Sequence, residues 1–349
     1  TVDSCRVSGN RREAGFHGRS KVIRSPISMQ RRIEHAAQPV QDHRTIGFGQ
    51  NTRIDLHIIV WRARNPQQRA AVLHTQGPLI IVAGPGTGKT RTLTVRIAHL
   101  IQVQQVAPEA VLAITFTNKA AHEMTARLTD LLGGEATRLI TIKNSHAFGA
   151  WLLRQWGANL GISPDFVICR DEERRALLAQ AAPELRLAER DQFLTWIAEA
   201  KNRLLTPTAP ELNGIADDVR LPDIFRRYEE SRQRSQALDF DDLIQQAVHL
   251  LETQAEVRRQ VHDRLRWLSV DEYQDINLAQ YRLLRLLTAG GANLAVIGDP
   301  DQAIYGFRGA DRRFFLSFAA DYPGARRLHL SQNYRSTQMI IASCGLAVR

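Results

Sequence analysis

The 349-residue chain is 44% hydrophobic and 23% charged, the balance of a soluble globular protein with room for one large or two medium domains. No run of about 18 apolar residues and no basic-then-apolar leader occurs, which speaks against a membrane span or a secretory signal. Cys5, Cys169 and Cys344 form no CxxC pair, which speaks against a disulfide or metal framework and fits a reducing cytoplasm.

The net charge of +10 is unevenly placed: residues 1–64 contain twelve Lys or Arg against five Asp or Glu, and so hold +7 of it. The basic balance is therefore weak grounds for a nucleic-acid face on the rest of the chain. Residues 1–64 are rich in Arg, Ser, Gly and Gln and show no sustained period apart from the apolar run LHIIVW at 56–61. They are expected to be a disordered or non-native extension, and the first residue, Thr1, suggests that the true start lies elsewhere.

From residue 65 the pattern becomes strand, loop, helix, repeated. LIIVA (79–83) reads as a buried strand and Lys89 to about Gln104 as a helix. VLAITF (111–116) reads as a second strand, followed by a helix over NKAAHEMTARLTDLL. RLITI (138–142), RWLSVDE (266–272) and NLAVIGD (293–299) are further strand candidates. Continuous apolar strands alternating with helices predict a parallel sheet covered on both faces. Between about 150 and 235 the strands disappear; DEERRALLAQAA and FLTWIAEAKNRLL have helical spacing and predict an inserted helical subdomain.

AGPGTGKT (83–90) follows a strand and opens a helix. Gly84, Gly86 and Gly88 allow backbone N–H groups to turn inward around phosphate oxygens, and the helix N-terminus adds its dipole. Lys89 reaches towards the outer phosphates and the Thr90 hydroxyl suits a Mg²⁺ ligand. Ala83 stands where the strict pattern has glycine; Pro85 and Thr87 complete the loop. LSVDEYQD (268–275) sets Asp271 and Glu272 at the carboxyl end of an apolar strand, where open α/β sheets bind ligands. Asp271 suits the Mg²⁺ shell, and Glu272 suits the orientation and deprotonation of a water attacking a γ-phosphate. A loop and an acidic strand of this kind together argue for nucleoside triphosphate hydrolysis.

NPQQ (65–68), AGPGTGKT, ITFTNKAA (114–121), LDFDDL (238–243), VDEYQDIN (270–277), IGDPDQAIYGFRGAD (297–311) and NYRS (333–336) occur in one order. This set resembles the UvrD/Rep family of superfamily 1 DNA helicases over some four-fifths of the chain. The resemblance implies a RecA-like P-loop NTPase fold, α/β with a parallel sheet. It divides the chain into a first ATPase domain at 65–149 and 236–325, a helical insertion at 150–235, and the start of a second RecA-like domain at 326–349.

By the same resemblance Gln68 contacts adenine, whose edge suits an amide that donates and accepts at once. Arg91 lies near the nucleotide, Tyr334 stacks on the base, Gln302 senses the γ-phosphate and Arg335 touches it. Tyr305 and Phe307 stack on bases of single-stranded DNA, Arg308 pairs with a phosphate, and Phe116, Asn118 and His146 contribute further DNA contacts. Phe307 replaces the tryptophan common in relatives, and Asn144 and Ser145 depart from the usual pattern before His146. Trp151, Trp156 and Trp196 are expected in the core. Asp239, Asp241 and Asp242 are expected to shape a strand or helix rather than to do chemistry.

The implied activity is ATP- and Mg²⁺-dependent 3′→5′ movement on single-stranded DNA and at single-strand/duplex junctions. It would serve repair, replication or recombination in the cytoplasm, alongside proteins of those processes and with no membrane. The chain stops at Arg349, before the later motifs of a second motor domain, so the expectation is a chain that binds nucleotide and unwinds poorly or not at all. A non-unwinding ATP- and DNA-binding regulator and a small-molecule P-loop kinase are the competing readings.

Overall fold

The computed structural model describes residues 65–337, 339 and 340, so the expectations for residues 1–64 and for the last residues of the chain lie outside the described residues. Six strands form one sheet: β1 (Leu79–Ala83), β2 (Val111–Thr115), β3 (Thr141–Asn144), β6 (Trp267–Val270), β7 (Asn293–Gly298) and β8 (Arg326–Leu330). Their order is β3-β2-β6-β7-β1-β8 and every pairing is parallel. Two further strands, β4 (Val167–Ile168) and β5 (Ala237–Leu238), pair with each other. The helices that matter below are α1 (Pro66–Leu73), α2 (Lys89–Gln102), α3 (Asn118–Leu132), α4 (Ser145–Trp156), α5 (Asp171–Ala181), α6 (Leu187–Asn202), α7 (Leu221–Arg234), α8 (Phe240–Thr253) and α9 (Leu278–Thr288).

Strand alternation divides the core in two. Ile80, Leu112, Ile114, Leu268, Val270 and Val296 point to one face, where α4, α8 and α9 cover them. Leu79, Ile81, Val111, Ala113, Ala295 and Ile297 point to the other, beneath α2 and α3. A strand buried on both faces has no polar side to show, which is why these segments read as unbroken apolar runs. A third cluster, with Leu178, Phe193, Ile197, Phe225 and Tyr228, lies within α5–α7.

Three segments differ from the sequence expectation. Arg138 and Leu139 end a short helix, Gly134–Leu139, and β3 begins only at Thr141, where its ladder with Leu112 starts. β4 breaks the stretch expected to lack strands. It is two residues long and exists because its backbone pairs with β5 some 70 positions later, so no local period announces it. Arg326–Leu330, placed by sequence at the start of a second domain, is the edge strand of this sheet, in register with β1 from Leu79 to Ala83.

Candidate active site

β1 ends at Ala83 and α2 begins at Lys89, so the glycine-rich turn lies between a strand end and a helix start. Thr87 Oγ1 donates to the Gly84 carbonyl at 2.8 Å and closes the loop on itself. Asn65 caps α1 by accepting from the Gln68 backbone N–H at 2.8 Å, which fixes Gln68 against the loop. The Gln68 side-chain nitrogen then donates to the Thr87 carbonyl at 2.9 Å.

Gly86 has a φ of 71°, and a Cβ there would lie 2.6 Å from the Asn333 side chain and 2.8 Å from Arg335 Cβ. Only glycine suits both the left-handed backbone and this approach. The chain after β8 accordingly lies on the loop. Asn333 Nδ2 donates to the Pro85 carbonyl at 2.6 Å, and the Tyr334 backbone N–H donates to the Gly86 carbonyl at 2.8 Å. Asn65 Nδ2 donates to the Tyr334 hydroxyl at 2.8 Å, so Tyr334 is held from two sides.

The acidic strand meets the loop at the next layer. Thr90 Oγ1 donates to Asp271 Oδ2 at 3.0 Å. Burial, with the Glu272 charge beside it, pushes the Asp271 carboxyl up to about 6. Lys89 Nζ stands 3.9 Å from Glu272 Oε2 and 3.5 Å from Gln302 Oε1. Glu272 itself is left-handed, φ 50° and ψ 46°, a strained backbone for a side-chain-bearing residue that turns its carboxylate back towards Lys89. Lys89, Thr90, Glu272 and Gln302 line one cleft of about 670 Å³ together with Arg91, Tyr334 and Arg335, and Asp271 is buried just behind Thr90.

A hydroxyl and a buried carboxylate in contact are oxygen donors that fit Mg²⁺, which binds few protein oxygens and completes its shell with phosphates and water. Among the described residues no group of three or more His, Cys, Asp or Glu is placed to hold a metal by itself. Thr90 and Asp271 would share such an ion with a nucleotide.

A row of rings lies on neighbouring loops. Phe116, just after β2, and Tyr305 have centroids 4.7 Å apart, and Tyr305 and Phe307 are 5.9 Å apart. Phe307 is 80% exposed. Asn118 Oδ1 accepts from Asn144 Nδ2 at 2.7 Å, and Asn144 also caps α4. His146 packs edge-on against Phe240 instead, 6.1 Å between centroids, and burial lowers its pKa. Of the expected DNA contacts, Phe116, Tyr305 and Phe307 are brought together, Asn118 stands at the start of α3, and His146 pairs with a ring that sequence reasoning left unassigned. The Arg308 side chain lies outside the described residues. Trp151 stacks on Phe148 and Trp196 packs against Phe193, as core residues do.

A model of the UvrD/REP helicase N-terminal domain matches residues 64–323. The chain is 41% identical over 292 residues to "ATP-dependent DNA helicase PcrA" of Leuconostoc citreum, covering 81% of this chain and 39% of that one. The PcrA protein of Staphylococcus epidermidis strain RP62A is 40% identical over 291 residues, covering 82% and 40% of the two chains. That of Staphylococcus aureus strain Mu50 is 39% identical over 290 residues, covering 82% and 40%. The chain belongs to the UvrD/REP helicase family. It spans about two fifths of the length of these curated relatives.

Within this UvrD/REP domain, sequence reasoning gave no role to Arg127, which lines the cleft, or to Asn65, Gln274 and Asn333, which bond to the lining residues Tyr334, Glu272 and Pro85. Asn65, Gln274 and Asn333 each fall inside a quoted motif, so their position was visible and their role was not. Arg127 lies mid-helix in α3, where nothing local separates a cleft-facing arginine from a solvated one.

Proposed function

We propose that this chain is the nucleotide-hydrolysing part of a DNA helicase that moves 3′→5′ on single-stranded DNA. The reading rests above all on one arrangement: Lys89, Thr90, Glu272 and Gln302 converge on a single cleft, with Asp271 bonded to Thr90 behind them, while the loop after Gln302 carries Tyr305 and Phe307. In this mechanism the loop N–H groups and Lys89 hold the triphosphate, and Glu272 orients a water and takes its proton as it attacks the γ-phosphorus, while the bond from that phosphorus to the β,γ-bridging oxygen breaks and the diphosphate leaves. Thr90 and Asp271 would hold Mg²⁺, which would supply charge to offset that of the phosphates. Gln302 registers the presence of the γ-phosphate, Gln68 and Tyr334 hold the base, and Arg91 and Arg335 flank the phosphates. Pro85, Ala83 and the loop glycines supply backbone.

Phe116, Tyr305 and Phe307 offer a stacking platform for bases of single-stranded DNA, with Asn118, His146 and Arg308 as further contacts. Junctions between single strand and duplex, in repair, replication or recombination, are the proposed setting, and repair or replication proteins the proposed partners. No helix among the described residues is long and apolar enough to cross a membrane; work on DNA places the proposed site of action in the cytoplasm.

The test is ATP turnover by the purified chain with and without single-stranded DNA. Stimulation by a homopolymer of deoxythymidine is expected, and a flat response would remove the DNA half of the reading. Phe307→Ala is expected to weaken single-strand binding by ~1–3 kcal/mol, roughly 5- to 150-fold, because it deletes one base-stacking face. Thermal stability should stay unchanged, since the ring is 80% exposed. In the longer protein, duplexes with a 3′ or a 5′ single-stranded tail decide direction.

A further inference from the structure

Gln274 is 1% exposed and every polar atom of its side chain is used. Its nitrogen donates to Glu272 Oε2 at 2.9 Å and to Asp275 Oδ2 at 3.0 Å. Its carbonyl oxygen accepts from the Asp299 backbone N–H at 3.0 Å, at the end of β7. A Cβ on Gly298 would stand 2.2 Å from that oxygen, so the glycine leaves the amide its place. The chemistry is specific to an amide: two carboxylates need donors on one side, and a backbone N–H needs an acceptor on the other. Glutamate at this position would face two like charges, and methionine would fill the volume with no bond to any of the three.

From Asp299 the connections return to Glu272. The Asp299 carboxylate accepts from the Gln302 amide, Gln302 Oε1 faces Lys89 Nζ at 3.5 Å, and Lys89 Nζ lies 3.9 Å from Glu272 Oε2. Lys89, Gln302, Asp299, Gln274 and Glu272 thus form a closed ring, in which Lys89, Gln302 and Glu272 face the cleft and Gln274 and Asp299 lie buried behind them. Within it Glu272 sits on a left-handed turn with no cap bond of its own, so the direction of its carboxylate depends on Lys89 and Gln274.

We infer that Gln274 is the positioning residue of this site: it aims the Glu272 carboxylate and ties it, through the Asp299 backbone, to the loop bearing Gln302, Tyr305 and Phe307. The inference deepens the hydrolytic reading above and rests on it. Gln274 touches no reacting atom; its effect passes through Glu272.

The experiment combines a double-variant cycle with amide exchange. Gln274→Met is expected to lower kcat of DNA-stimulated ATP hydrolysis about 100-fold while KM for ATP stays within about twofold. Added to Glu272→Gln, the same change should cost nothing more, because the carboxylate it aims is already gone. In NMR exchange measurements on the same samples, the Asp299 amide should exchange at least about tenfold faster in Gln274→Met. It should keep its protection in Gln274→Glu, which retains the acceptor. Additive losses in the double variant, or unchanged Asp299 exchange in Gln274→Met, would overturn the inference. A wild-type chain that fails to turn over ATP would count against the hydrolytic reading instead, and Asp299 exchange would still decide whether Gln274 makes the link.

Discussion

Glu272→Gln is expected to keep nucleotide affinity near wild type while turnover falls about 10²- to 10⁴-fold, the usual contribution of a positioned general base. The substitution preserves the shape of the side chain and its reach towards Lys89 and Gln274, but an amide takes no proton from water. Affinity should survive because the triphosphate is held elsewhere, by Lys89, Thr90 and the loop between Gly84 and Gly88, and the Lys89 ammonium, 3.9 Å from Glu272, keeps its charge for the phosphates when that carboxylate is lost. Equilibrium binding of a fluorescent ATP analogue, beside single-turnover hydrolysis, separates the two effects. Turnover close to wild type would move the base elsewhere and break the assignment of Glu272. Lys89→Ala offers the contrast: binding and turnover should fall together, since the ammonium serves the ground state and the transition state alike.

Lys201→Met is expected to cost ~3–5 kcal/mol of stability, the penalty for leaving buried charges without their partner. Lys201 is fully buried on α6, with Nζ 2.8 Å from Asp239 Oδ2, 2.8 Å from Asp242 Oδ1 and 2.7 Å from Glu229 Oε1. Burial alone would raise the Asp239 carboxyl, yet Lys201 and Arg174 beside it hold it well below the ordinary carboxylate range. Arg232 on α7 adds a third cation, 3.0 Å from Asp242 Oδ2, and Tyr228 donates its hydroxyl to Asp239 at 2.9 Å. The lysine thereby joins α6 and α7 of the helical cluster to the first turn of α8, which packs under the sheet. Methionine retains most of the volume, so a loss of this size reads the charge and not a cavity. Urea titrations of the two proteins measure it. A change below about 1 kcal/mol would mean that Arg174 and Arg232 satisfy the carboxylates by themselves.

What the sequence made legible follows from how far apart the interacting residues lie. The phosphate loop and the acidic strand end are local: a strand, a turn and a helix start are written in consecutive residues, and structure finds them where the motifs put them. LDFDDL was visible as a motif but opaque in meaning. Asp239 caps α8 while Asp242 answers it in a reciprocal capping box, a pattern readable from spacing. Their shared lysine lies some forty residues earlier, and nothing local points to it. β4 and β8 were missed for the same reason, since each is a strand only by virtue of a distant partner. Gln274 stood inside a quoted motif, yet its importance comes from Asp299, 25 residues on, and from the glycine that makes room for it.

The position of β1 has a consequence for how the chain comes into being. β1 is flanked by β7 and β8, strands encoded more than 200 residues downstream. During synthesis it therefore emerges long before either neighbour exists, and at about 5–20 residues per second that interval lasts on the order of 10–50 s. LIIVA is an apolar segment with no polar face to shield it through that wait, so the nascent chain carries it without its sheet neighbours until β7 and β8 have been made. Helper proteins at the ribosome should hold the chain through this window, and slowing translation ahead of residue 293 should lower the yield of native protein.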